Sequence, residues 1–181
     1  MIRALLAVAV AALALGLRWH AIELLPTDYD ETPYLTSARA LAGVLRSGEL
    51  AKLTETNLQP EHPQLNQLLF AAALLSAPPS EPSSERLSVG GGRSKLPEAE
   101  LLAARRASGL FGVLEVLLLA CASPLAGLLL AVHTYTIKYT SLVMLEALPA
   151  ATSLAAVLAY PRYRRTERCA WWAASGVLLG L

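Results

Sequence analysis

The chain has little charge, few aromatics and almost no cysteine. Of 181 residues, 16% are charged, 6% are aromatic and two are cysteine. Cys121 and Cys169 lie far apart, in or beside apolar runs. They form neither a metal-ligand spacing nor a disulfide framework, and are expected to be buried, inert thiols. The net charge is +1, so there is no basic excess to meet a nucleic acid. Apolar residues dominate instead, at 55% of the chain with a mean hydropathy of +0.46. That balance is too apolar for an ordinary soluble domain and points to the bilayer.

The apolar residues fall in runs. Residues 4–17, "ALLAVAVAALALGL", carry no charge and follow Arg3. A signal peptide has the same outline, but the later runs argue against a secreted soluble product. A first span over about 3–25 is expected, extended past Arg18 and His20 by side chains snorkelling to the interface. Further spans are expected at 105–122, 124–144, 147–160 and 170–181, several of them short and leaning on their flanks. Ser123-Pro124 breaks the longest run, and Glu115 is its one charge. An intramembrane acid is functional by default, and Glu115 is expected to pair with a further helix. The fold class is therefore all-α, a multi-pass membrane helical bundle.

Basic residues set the orientation. "RYRRTER" (162–168) is the densest basic cluster, and the positive-inside rule puts it in the cytoplasm. Counting back, 26–104 becomes a long outer loop and the N-terminus lies in the cytoplasm beside Arg3. Glu146 falls on the same outer side as Asp30. The localisation expected is the plasma (inner) membrane. The chain stops within its fifth apolar run, so it is expected to be the N-terminal part of a longer protein.

The outer loop has amphipathic segments, expected to lie in the interface. Thr32 reads as a helix N-cap with Pro33 at the first helical position. Tyr34, Ala38, Leu41, Ala42 and Leu45 then recur at helical spacing, with Arg39 and Arg46 elsewhere on the surface, until "RSGEL" (46–50) ends the helix. In "EHPQLNQLLFAAALL" (61–75), Leu65, Leu68, Leu69 and Ala72 share a face, with Asn66 and Gln67 expected to turn away. Residues 76–95 are rich in Pro, Ser and Gly and read as a flexible linker. Glu98 and Glu100 read as a solvated face. Lys138 and His133 read as interfacial, and Trp171 and Trp172 as an aromatic belt.

One short stretch does not fit so greasy a chain. "TDYDETPY" (27–34) places Asp28, Asp30 and Glu31 just past the first apolar run. They could simply complement the positive end of the next helix. They could equally hold a carboxylate at the membrane surface as a base or ligand.

Four segments in order resemble a known family: "DYDETPYLTSARAL", "HPQL", "AARRASGLFGVL" and "YTSLVMLEALPAATSLAAVLAY". They resemble the start of a GT-C glycosyltransferase, closest in pattern to the protein O-mannosyltransferase and aminoarabinose lipid A transferase group. The resemblance implies transfer of a sugar, with inversion, from a polyprenyl-phosphate donor to a hydroxyl or amine acceptor on the outer face. It puts the catalytic aspartate at Asp30 as general base, with Glu31 as its neighbouring acid. Substrate contacts fall on His62, Arg105, Arg106 and Glu146, and Lys138 is a further candidate for the phosphate. No cofactor is implied, and a divalent metal at Asp30, Glu31 and Glu146 stays open. The sequence departs from the family pattern at Gln64, where proline is usual, at Leu142, where arginine is usual, and at Glu146, where aspartate is common. Residues 1–181 alone are expected to lack activity. The rival class is a non-catalytic membrane scaffold or inactive relative. A transporter segment would carry polar residues inside broken spans, whereas these acids sit outside.

Overall fold

The structure, a computed structural model, describes residues 1–56, 58, 62–78 and 97–180. Most of the expected linker, residues 79–95, lies outside the described residues. Among the described residues eight α-helices follow one another: α1 Ile2–Leu24, α2 Glu31–Ser47, α3 Gln64–Leu74, α4 Glu98–Ala122, α5 Pro124–Val132, α6 Thr134–Ser141, α7 Ala147–Thr166 and α8 Cys169–Gly180. A short 3-10 turn covers Leu50–Leu53, and the described residues contain no strand. The fold is all-α, as the apolar periodicity implies.

Local chemistry explains most boundaries. α1 stops where Leu25 precedes Pro26 and turns extended, because proline disfavours a helical residue before it. α2 ends at Gly48, which supplies a left-handed φ of 73°. α4 gives way to α5 at Ser123, whose hydroxyl accepts from the Ala126 N–H with Pro124 at the first helical position.

Three boundaries differ from the sequence reading. α2 begins at Glu31, so Thr32 and Pro33 lie inside its first turn rather than at its start. Asp28 and Glu31 make the turn instead: Glu31 Oε2 accepts from the Asp28 N–H at 3.0 Å, and Asp28 Oδ1 from the Asp30 N–H at 3.4 Å. These two bonds close the turn that leads into α2. The expected span 124–144 is two helices, because His133 Nδ1 accepts from the Thr136 N–H at 3.3 Å and starts α6 afresh. α7 runs through Pro161 to Thr166, so the basic stretch begins as a last helical turn rather than a loop.

α4 is the central post. It packs against α1, α3, α5, α6 and α7, while α2 pairs with α3 and α7 with α8. α1 and α4 run antiparallel, with Arg105 reaching Ile22 near one end and Ala7 clustering with Ala120 near the other. Ala7, Val10, Ala14, Val116, Ala120 and Ala131 form one apolar core. Leu35, Leu41, Phe70, Leu74, Leu101 and Val143 anchor a second at the α2–α3 end. Between them α4 carries Gly112, where a Cβ would come within 2.5 Å of the Thr140 Cβ and 2.7 Å of the Arg18 Nε. Only a residue without a side chain lets α6 and the Arg18 side chain so close.

Among the described residues, α1 alone is long and apolar enough to cross a membrane. α8 is apolar but has 12 residues. Large apolar side chains nevertheless line the outside, among them Leu5, Val8, Leu110, Leu125, Leu129, Val157 and Leu179.

Several side chains turn opposite to expectation. Asn66 and Gln67 point inward with Phe70, Ala71 and Leu74, and Ala72 is exposed. Asn66 Nδ2 donates to the Leu145 carbonyl at 2.8 Å, and Gln67 Oε1 accepts from Ser37 Oγ, so both amides are satisfied inside. Glu100 is buried and paired with Arg39 rather than solvated. Arg46 donates to the Leu74 carbonyl at 2.7 Å, closing the end of α3. Cys121 and Cys169 are exposed rather than buried.

Candidate functional site

The acid cluster lies where four segments meet. Glu31 is fully buried at the start of α2. Its carboxylate meets Arg105 of α4 in a fork, Nε to Oε1 at 2.8 Å and Nη2 to Oε2 at 2.6 Å. Oε1 also accepts from the Val143 N–H at 2.9 Å, in the turn between α6 and α7. Arg105 sends its remaining donors to the carbonyls of Ile22 at 3.0 Å, Leu25 at 2.9 Å and Pro26 at 3.0 Å. The last carbonyls of a helix have no partner within it, and a cation there also meets the negative end of its dipole. Arg105 therefore caps α1, while Glu31 ties α2, α4 and the α6–α7 turn to that cap.

This geometry corrects two roles. All five N–H groups of Arg105 are engaged within the protein, so none is left for a substrate phosphate. Both oxygens of Glu31 each take two donors, so Glu31 has no lone pair directed at a metal or an acceptor. Among the described residues, no three His, Cys, Asp or Glu side chains form a group that could hold a metal ion.

Asp30 sits differently. It is exposed, one residue before α2, and its carboxylate caps no N–H. Asp28 lies 3.9 Å from Lys138 of α6, both partly exposed. Lys138 also lies 5.2 Å from the centre of the Tyr139 ring. So Asp28, half-buried, is held between the turn before α2 and a cation, and Lys138 is brought to the cluster from 110 residues away.

The other expected residues are spread around this point. His62 meets the Tyr34 ring edge-on at 5.4 Å. Arg106 is exposed, on the next position of α4 from the buried Arg105. Glu146 precedes α7 and is exposed, with no capping bond from its side chain. It lines an open cleft of about 290 Å³ with Glu115, Tyr135, Thr136, Tyr139 and Thr140.

The sequence reading placed Arg18 at the interface, but it is fully buried. Its Nε donates to Thr140 Oγ1 at 2.9 Å and its Nη1 to the Ala14 carbonyl at 3.3 Å. Glu115 of α4 lies near enough to the Arg18 guanidinium for their charges to interact, with no direct ion pair between them. The signal for it was present: a lone arginine and a lone glutamate, each inside an apolar run. No family model, curated protein or solved structure matches this chain.

Proposed function

We propose that the chain belongs to a multi-pass membrane glycosyltransferase. It takes a sugar from a polyprenyl-phosphate donor and passes it to a hydroxyl or amine on the outer face. The N-terminus and the basic turn lie in the cytoplasm, with α2, α3 and the acid cluster outside.

One observation carries this reading. The buried Glu31–Arg105 fork fixes the start of α2 to the end of α1, and so holds the exposed Asp30 at one depth and in one orientation. A general base must be positioned before it is useful. Asp30 takes the proton of the acceptor as its oxygen or nitrogen bonds to the anomeric carbon. The bond from that carbon to the phosphate oxygen breaks, and the polyprenyl phosphate leaves with the electron pair. Lys138, close beside Asp28, offers positive charge to the departing phosphate. Arg106, His62 and Glu146 remain the further substrate contacts, and Arg105 and Glu31 position the site without touching substrate. Large apolar side chains exposed on α1, α4, α5, α7 and α8 support insertion.

A diazirine-bearing polyprenyl phosphate tests this reading in membranes that hold the complete gene product. Crosslinks on residues 27–34 or on α6 around Lys138, competed away by unlabelled polyprenyl phosphate, are expected. Crosslinks confined to α8 and the basic turn contradict it.

A second reading has its own observation. The break at His133 interrupts the helix run, and α6, which follows it, carries Thr140 onto the buried Arg18. Transporters build substrate sites in this way. Uptake of a solute by vesicles holding the complete gene product would favour it.

A further inference from the structure

The turn between α7 and α8 gathers charge that the proposed reaction does not use. Arg162, Arg164, Arg165 and Arg168 are all exposed there, with Glu167 the single acid among them. Glu167 has a left-handed φ of 55°, and its N–H closes on the Tyr163 carbonyl at 2.7 Å. The chain therefore reverses within two residues, and the arginines of the end of α7 and of the turn crowd one end of the helix pair. The Arg162 guanidinium stacks 5.2 Å from the centre of the Trp171 ring. Two arginines in the last turn of α7 suit its dipole. That accounts for neither Arg162 nor Arg168.

An apolar groove opens beside this charge. It measures about 500 Å³ and is lined by Tyr160, Trp172, Ala173, Gly176, Val177 and Leu179. Gly176 leaves it open, since a Cβ there would meet nothing within 4 Å. The volume falls in the range of roughly 300–1,000 Å³ of small-molecule pockets.

We propose that this turn and groove bind an anionic phospholipid of the cytoplasmic leaflet. Its phosphate rests on the arginines, and one acyl chain lies along Trp172, Gly176 and Leu179. Charge complementarity selects the headgroup, because basic clusters on the cytoplasmic side of a span attract anionic lipid. The inference rests on the membrane orientation proposed above.

The test uses the full chain with Trp19→Phe, reconstituted in phosphatidylcholine vesicles. Brominated phosphatidylglycerol or brominated phosphatidylcholine is added at equal mole fraction, and the fluorescence of Trp171 and Trp172 is read. Phosphatidylglycerol should quench at least about threefold more efficiently. The preference should vanish in R164Q/R165Q/R168Q and survive in R164K/R165K/R168K. Gly176→Phe should weaken quenching by filling the groove. Equal quenching by the two lipids overturns the lipid site and leaves the membrane reading standing. Quenching by neither overturns both.

Discussion

Replacing Glu31 by glutamine should damage the fold more than any other change in the acid cluster. The carboxylate accepts four hydrogen bonds, two from Arg105 and one each from the N–H groups of Asp28 and Val143. A glutamine oxygen can serve one edge only. Its NH2 would face donors on the other edge, so two bonds are lost and a like-dipole clash replaces them. The Arg105 charge also stays buried without its counter-ion. Hydrogen bonds to charged groups contribute about 1.5–3 kcal/mol each. Removing one partner of a buried pair costs about 3–5 kcal/mol. Both routes give the same magnitude, so Glu31→Gln should lose about 3–5 kcal/mol in an SDS-unfolding titration read by tryptophan fluorescence. Arg105→Lys should lose most of that too, because an ammonium cannot span the fork and three carbonyls together. A Glu31→Gln protein within about 1 kcal/mol of the parent would mean that the fork does not hold α1, α2 and α4 together.

Two more outcomes follow from packing and orientation. Gly112→Ala should destabilise by about 1–3 kcal/mol in the same titration, through overpacking against Thr140 and Arg18. Gly16→Ala, with nothing within 4 Å, should be neutral or stabilising, and equal effects at the two positions would contradict the close crossing. For orientation, Cys121 and Cys169 are first replaced by serine, because both are exposed and would react. In that background an impermeant thiol reagent on intact cells should label Ser88→Cys and spare Thr166→Cys, and the reverse pattern would invert the topology.

Much of the scaffold was legible in the sequence because its signals are local. Ala38, Leu41 and Ala42, read at helical spacing, are buried on α2, Tyr34 and Leu45 are half-buried beside them, and Gly48 marks the helix end, while the fully buried Leu35 was not read. What failed needed distant partners. Asn66 and Gln67 read as outward because they are polar, yet they find Leu145 and Ser37 at separations of 79 and 30 residues. The break at His133 rests on one side-chain acceptor that hydropathy does not register. The acid cluster was legible as a cluster, but its division of labour was not. Glu31 and Arg105 lie 74 residues apart, and only their meeting shows which acid is structural and which is left exposed.

The most direct test is the rate of sugar transfer by the complete gene product carrying Asp30→Asn, set against Asp28→Asn. Both variants keep shape and the capacity to hydrogen-bond, and asparagine caps a helix about as well as aspartate. Asp30→Asn removes only the proton acceptor. It should cut the rate about 10²–10⁴-fold with the protein inserted and folded as before. Asp28→Asn should stay within a few-fold, roughly 1 kcal/mol of barrier or less. If Asp30→Asn turns over like the parent, the cluster is a helix cap and an anchor for Arg105, and the chain is better read as a membrane scaffold.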